Sequence, residues 1–168
     1  MKKLSNEFFK RDVLTVAPEL LGKVLVREFD DNRIERYRIT EVEAYRGEED
    51  KACHAAKGRT KRTEVLYHAG GRIYVYFIYG MYWMLNFVTG EEEQPQAVLI
   101  RGLEGISGPG RVGKKLELDR GFYGEILPSA RIWIEDNNSR VQYESTPRIG
   151  IGYAGEWAKK NWRFVLKE

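Results

Sequence analysis

The sequence predicts an α+β fold: one domain over residues 1–168, built on a curved, mainly antiparallel β-sheet with a few flanking helices and a protruding β-hairpin. Three observations lead there. The chain has 168 residues, a length at which one hydrophobic core is the norm. Most strand-like segments are separated by turn residues and not by helices, which favours antiparallel neighbours. Two segments read as helix, one near the start and one after a glycine-rich stretch.

The elements follow in order. Asp12 is a candidate N-cap, and Val13, Leu14, Val16, Ala17, Leu20 and Leu21 recur at helical spacing. Gly22 suits the position just past a helix end. Pro18 interrupts this pattern by removing a backbone donor, or else sits in the first turn of a shorter helix. Lys23 to Phe29 reads as a strand, Asp30-Asp31-Asn32 as a turn, and Arg33 to Tyr45 as a second long strand, so the two form a hairpin. Arg46 to Gly71 is polar and holds four glycines. It reads as a long loop, and such a loop inside a compact domain is usually functional.

Arg72 to Tyr79 and Tyr82 to Val88 are strands joined by a tight turn at Gly80 and Met81. Gln96 to Leu103 is a further strand. Gly102 to Gly113 leads into a short helix with Pro109 in its first turn. Arg131 to Glu135 is a strand and Asn137-Asn138 a turn. Arg148 to Ile151 and Trp162 to Leu166 close the sheet. There is no internal repeat, low-complexity segment or linker.

Composition narrows the function classes. Lys plus Arg is 28 and Asp plus Glu 25, a net charge of +3, with 42% hydrophobic and 32% charged residues. That balance excludes a disordered tail protein. The single cysteine, Cys53, excludes an intramolecular disulfide and a multi-cysteine metal cage. Met1 to Glu7 lacks the apolar stretch of a secretory signal, and no apolar run approaches a membrane span of about 20 residues. The expectation is a protein without a membrane partner, cytoplasmic in a bacterium or archaeon and nuclear in a eukaryote. A charge of +3 permits a nucleic-acid partner without requiring one, so the placement of charges and rings matters more.

Four clusters could carry chemistry. In Thr40-Glu41-Val42-Glu43-Ala44-Tyr45, strand alternation puts Tyr37, Ile39, Glu41, Glu43 and Tyr45 on one face. Glu41 and Glu43 then lie about 6.6 Å apart at ~3.3 Å per residue. This is the separation of inverting sugar hydrolases, roughly 6.5–9.5 Å. Neighbours on one strand face flank a scissile bond poorly, however, so one working glutamate is the economical reading. A solvated edge with two idle acids is the bland alternative.

The second cluster runs from Ile73 to Trp83 and has rings on both faces. It is either a strand pair buried on both sides or a stacking platform for planar bases, with Tyr79 at the tip as a wedge between bases. The third, Lys57-Gly58-Arg59-Thr60-Lys61-Arg62-Thr63, suits phosphate contact or is an ordinary solvated loop. The fourth, Ser107-Gly108-Pro109-Gly110-Arg111, presents backbone N–H groups ahead of a helix but matches no P-loop. Cys53, His54 and His68 fit no standard zinc spacing, so no metal is expected.

Together these segments resemble the alkyladenine (3-methyladenine) DNA glycosylase family. Four blocks carry the resemblance in order: Glu19 to Val26; Glu41 to Tyr45 with Gly47, Glu49, Asp50, Ala52 and His54; Tyr74 to Tyr82 through Asn86 and on to Val98–Arg101; and Arg148 to Ala158. The resemblance implies that Glu43 is the general base that deprotonates the attacking water. Arg101 and the backbone carbonyl of Ile149 would help hold that water. It implies that Tyr45, His54 and Tyr76 wall the pocket for the extruded base, that the backbones of Ala52 and His54 read its edge, and that Asn86 crowds the 2-amino group of normal guanine. Tyr79 resembles the intercalating residue. Met81 and Tyr82 would position the DNA backbone, with Arg59 and Arg62 in the basic loop.

The implied protein is a monofunctional glycosylase: it acts as a monomer on double-stranded DNA with a damaged purine, alkylated or deaminated. It needs no cofactor. No lysine stands where it could form a Schiff base, so the strand stays uncut. The sequence departs from the family in lacking an insertion between Glu104 and Ser107, in Thr63 where Asn is usual, and in Tyr153 where some members have His. The rival readings are a non-catalytic nucleic-acid-binding module on the same fold, which would not need Glu43, and a sugar hydrolase using Glu41 and Glu43.

Overall fold

The computed structural model describes residues 1–168. Its strands are β1 (Lys2–Lys3), β2 (Val24–Glu28), β3 (Ile34–Arg46), β4 (Ile73–Ile78), β5 (Tyr82–Thr89), β6 (Gln96–Leu103), β7 (Ile106–Ser107), β8 (Ile132–Asp136), β9 (Tyr143–Thr146) and β10 (Arg163–Leu166). They join one sheet in the order β1-β8-β2-β3-β6-β5-β4, with β10 on β3 and β9, and β7 on β6. Every pairing is antiparallel. Helices α1 (Val13–Leu20) and α2 (Pro109–Lys115) and several 3-10 turns flank it. The expected α+β class, with its mainly antiparallel sheet, is what the chain adopts.

β3 organises the sheet. Its first half, Ile34 to Arg38, pairs with β2, while Glu41 to Glu43 pair with β10 and the other edge runs along β6. The register of β3 on β6 goes from Ile39↔Leu103 to Glu41↔Gly102 to Val42↔Ile100. Thr40 therefore has no partner on β6, and Arg101 has none on β3. Such bulges bend a strand and re-aim its side chains.

This corrects the expectation of a single face from Tyr37 to Tyr45. Ile39 and Val42, an odd number of residues apart, both lie in the main core. The bulge exchanges the faces, so Tyr37 and Ile39 point to the core side while Glu43 and Tyr45 point to the other. In an unbroken strand Glu43 would share a face with Ile39, which is fully buried among apolar side chains.

The sheet is thus two-sided. On one face Ile39, Val42, Ala44, Ile73, Val75, Leu85, Phe87, Val98 and Ile100 pack with Val13, Val16, Ala17 and Leu20 of α1 and with Val112 and Leu116 of α2. At about 25 cal/mol per Å2 of buried apolar surface, this cluster is the main driving force for the fold. On the other face the alternate residues of β4, β5 and β6 look into a cavity. The ring-rich hairpin is therefore neither buried on both sides nor simply displayed: Ile73, Val75, Leu85 and Phe87 fill the core, and Tyr74, Tyr76, Tyr82 and Asn86 face the cavity.

Local signals hold where side-chain chemistry dictates them. The Asp12 carboxylate accepts from the Leu14 N–H at 2.8 Å and caps α1. Gly22 follows the helix with φ +83°, a conformation glycine adopts without a Cβ clash. Pro18 lies inside α1 and not in a first turn. Two residues before the helix end, it gives up one backbone hydrogen bond.

Two further expectations are corrected. The β4–β5 turn centres on Tyr79 and Gly80, at φ +56° and +64°, and Met81 closes it by donating its N–H to the Ile78 carbonyl at 3.2 Å. Arg148 to Ile151 forms no strand; that edge is β9, paired with β10. Arg148 turns its side chain inward and Gly150 takes φ +75°, which breaks an extended path. The polar loop from Arg46 to Gly71 contains two 3-10 turns, His54–Lys57 and Glu64–Tyr67. The sequence reading also lacked β1, β7 and β9. No helix is long and apolar enough to cross a membrane.

Candidate active site

The cavity on the second face has a volume of about 470 Å3. Its back wall is the sheet itself, through Tyr45, Tyr74, Tyr76, Asn86, Leu99 and Arg101. Three loops complete it: Ala52 to His54 with Arg62, the turn Ser107 to Arg111, and Ile149 to Tyr153. Strands thus supply rings and one arginine, and loops supply backbone groups and the rim.

Glu43 lies one layer beneath this lining and is 0% exposed. Three lining residues touch it. The Tyr45 hydroxyl donates to Oε1 at 2.7 Å, the Ile149 backbone N–H donates to Oε2 at 2.8 Å, and Arg101 Nη1 stands 3.6 Å from Oε1. A buried carboxylate is costly unless paired and hydrogen-bonded, and these contacts meet that requirement. An ionised carboxylate offers about four lone-pair sites, so acceptor capacity remains for a small polar molecule. Ile149 thus reaches Glu43 through its backbone N–H. Burial and the Glu43 charge push the Tyr45 hydroxyl well above its ordinary pKa, so Tyr45 stays protonated and donates.

Glu41 does not stand free beside Glu43. Its Oε2 accepts from Arg101 Nε at 3.1 Å and from Arg163 Nε at 2.5 Å. A two-carboxylate arrangement flanking a scissile bond is therefore not formed.

The rings form an ordered wall. The His54 and Tyr76 centroids are 4.5 Å apart at 66°, and those of Tyr74 and Tyr76 are 5.6 Å apart at 39°. His54 Nδ1 lies 2.7 Å from the Tyr74 hydroxyl, which fixes the imidazole plane. Burial, Arg62 and Lys57 lower the His54 pKa from 6.5 to about 4, so the ring is neutral near pH 7. Burial and Glu43 push Tyr76 to about 12. Asn86 is buried and donates to the Tyr74 carbonyl at 3.2 Å, so its amide is held fixed at the wall. Cys53, buried in the same wall, has its thiol pushed up to about 12, which leaves it unreactive.

At the rim, Tyr79 is 81% exposed at the hairpin tip with Met81 beside it. Tyr82 lies inside, its ring against Gly110, where an added Cβ would come within 2.8 Å. Gly113 meets the Trp83 carbonyl even more closely, so α2 seats directly on β5. Of the basic loop, Arg62 lines the cavity and lies over Tyr76. Arg59 instead pairs with Glu64 and Glu93, both at 2.6 Å. No three His, Cys, Asp or Glu side chains converge as a metal-holding group.

Sequence reasoning missed the buried ion pair that holds the site's backbone in place. Arg148 and Asp50 form an ion pair with both side chains 0% exposed. Arg148 also donates to the carbonyls of Ala44 and Trp157, and Asp50 accepts from the N–H groups of Arg46 and Ala52. One ion pair thus fixes β3, the Ala52 loop and the segment that delivers the Ile149 N–H. An aspartate and an arginine 98 residues apart carry no local signal. Tyr74 and Leu99 had no individual role in the sequence, although strand alternation from Tyr76 does place Tyr74 on its face; the Ser107–Arg111 turn, expected as a backbone N–H site, lines the cavity.

Comparison with known proteins bears on this arrangement. The family model described as Methylpurine-DNA glycosylase matches residues 7–168. A protein of Psychrobacter cryohalolentis is 43% identical, covering 92% of this chain and 86% of its own. One of Legionella pneumophila (strain Corby) is 44% identical, covering 100% and 96%. An archaeal protein of Methanocella arvoryzae is 41% identical, covering 99% and 94%. Each carries the name "Putative 3-methyladenine DNA glycosylase".

Proposed function

The chain belongs to the methylpurine-DNA glycosylase family, and from that premise we infer an enzyme that removes alkylated purines from DNA by hydrolysing the N-glycosyl bond. We propose that it acts on double-stranded DNA as a single-domain monomer, extrudes the damaged nucleotide into the cavity, and attacks it with a water activated by Glu43. The observation that carries this reading is Glu43 itself. A fully buried carboxylate is held by the Ile149 N–H and the Tyr45 hydroxyl just beneath the floor of a ring-walled cavity.

A base inside a duplex is out of reach, so it has to leave the stack at a cost of a few kcal/mol. Stacking on Tyr45, Tyr76 and the His54 ring offsets about 1–3 kcal/mol per base. Tyr79, projecting from a turn that fixes its backbone, fills the gap left behind. Met81, Tyr82 and Arg62 surround the same opening and meet the DNA backbone. Arg59 joins them only by exchanging its two carboxylate partners for phosphate.

In the chemical step the C1′–N bond breaks and its electron pair leaves with the purine, while positive charge grows on the sugar. Glu43 stabilises that charge and takes the proton of the water that bonds to C1′. Arg101, Tyr45 and Ile149 surround the carboxylate, so the water sits among them. An N-alkylated purine is cationic and departs neutral without needing a proton. A neutral His54 beside it adds no repulsion. Asn86, clamped to the Tyr74 carbonyl, crowds the 2-amino group of an unmodified guanine. Ala52 and His54 present their backbones to the base edge.

A panel of duplex oligonucleotides tests this, each with one lesion: 3-methyladenine, 7-methylguanine, ethenoadenine or hypoxanthine. Release of at least one free base, leaving an abasic but uncut strand, is the expected result. Binding without release from any of them would favour a non-catalytic nucleic-acid module.

A further inference from the structure

We propose that Glu41 is a positioning residue for this hydrolysis, one that holds Arg101 off the catalytic carboxylate so that Glu43 keeps lone pairs free to accept from the attacking water. The proposal rests on the function just described. Arg101 occupies the bulge on β6 and has no partner on β3, so backbone pairing alone does not orient its long side chain. Glu41 does: its Oε2 accepts from Arg101 Nε at 3.1 Å and is anchored from the other side by Arg163 Nε at 2.5 Å. Both Glu41 and Arg101 are largely shielded from solvent, with side chains 15% and 14% exposed. The contact is therefore screened less than a surface pair.

The result is a line of alternating charge, Arg163–Glu41–Arg101–Glu43. In it Arg101 Nη1 stops 3.6 Å from Glu43 Oε1, beyond the usual N–H···O range of about 2.7–3.2 Å. Arginine and carboxylate frequently close into a bidentate pair. On Glu43 that closure would consume the lone pairs the water needs and bury the positive end of the site. Glu41 competes for the guanidinium and prevents it. This accounts for a second glutamate that does not reach the cavity, and for a bulge that brings Arg101 between two carboxylates.

A double-mutant cycle tests it, reading single-turnover base release alongside affinity for a duplex with an uncleavable abasic analogue. Glu41→Gln should lose about tenfold in release, a coupling of ordinary size for directly bonded groups, with affinity changed less than twofold. In an Arg101→Gln background the same substitution should cost nothing further. An unchanged release rate, or an equal loss in both backgrounds, overturns the proposal. If Glu41→Gln melts below the assay temperature, Glu41→Asp keeps the charge but shortens the reach. It should lose about threefold, again only when Arg101 is present, and equal loss in both backgrounds overturns the proposal as before. A wild type that releases no base contradicts the glycosylase reading and this proposal with it. Normal wild-type release with an unaffected Glu41→Gln contradicts this proposal alone.

Discussion

At the scale of single residues, chemistry is most legible where a side chain can do only a few things. Strand alternation places Glu43 and Tyr45 on one face, and the family resemblance, not the pattern, implies that these two and His54 belong to one site. The structure brings all three together. Ile149 shows the opposite case: its contribution is a backbone N–H, and no side-chain identity announces that. His54 yields a direct prediction. Its folded pKa, about 4, lies below the ordinary 6.5. The unfolded chain therefore takes up a proton first as pH falls. Stability is fully present above about pH 6.5 and is lost between there and about 4, on the order of 3 kcal/mol. NMR titration should show this imidazole neutral at pH 6, and a midpoint near 6.5 would contradict the burial argument. Tyr79 yields another. Because its ring projects into solvent, Tyr79→Ser should leave thermal unfolding unchanged. It should weaken binding to a damaged duplex by the equivalent of about 1–3 kcal/mol of lost stacking, measured by fluorescence anisotropy.

At the scale of elements, strands were readable because alternation and turn residues are local. β6 runs from Gln96 to Leu103 as its pattern indicates, and the Asp30–Asn32 turn joins β2 to β3. What was not readable depends on distant partners. Arg148 to Ile151 looks like a strand by composition, yet Asp50 and the carbonyls of Ala44 and Trp157 draw Arg148 inward. The bulge at Thr40 and Arg101 likewise has no sequence mark of its own, and it decides which way Glu43 faces. The Asp50–Arg148 pair therefore ties three elements to the site. Asp50→Ala leaves a buried guanidinium without its counter-charge. That should cost about 3–5 kcal/mol, a fall in Tm of roughly 10 °C, by calorimetry. A change below about 1 kcal/mol would mean that the pair does not organise these loops.

At the scale of the whole molecule, the net charge of +3 says little, and the distribution says much. One face of the sheet is a conventional apolar core. The other carries tyrosines, an asparagine and Arg101 into a cavity, with Arg62 and Arg111 at its edge and Glu43 below its floor. Aromatic rings and arginines at the opening suit a flipped base and its flanking phosphates, and the single carboxylate beneath suits an attack on the sugar. Length and strand spacing made the α+β sheet legible. The cavity was not legible as a volume, because it arises from three loops that converge from residues 52–62, 107–111 and 149–153.

In the mechanism proposed, Glu43 performs the chemistry and contributes little to holding DNA. The most direct measurement compares wild type with Glu43→Gln on one 3-methyladenine duplex, recording single-turnover base release and equilibrium affinity side by side. The substitution keeps the side-chain shape and removes the base. Release should fall by about 10²–10⁴-fold, the usual contribution of a general base, while affinity stays within about twofold, well under 1 kcal/mol. Release at the wild-type rate by Glu43→Gln would contradict the account.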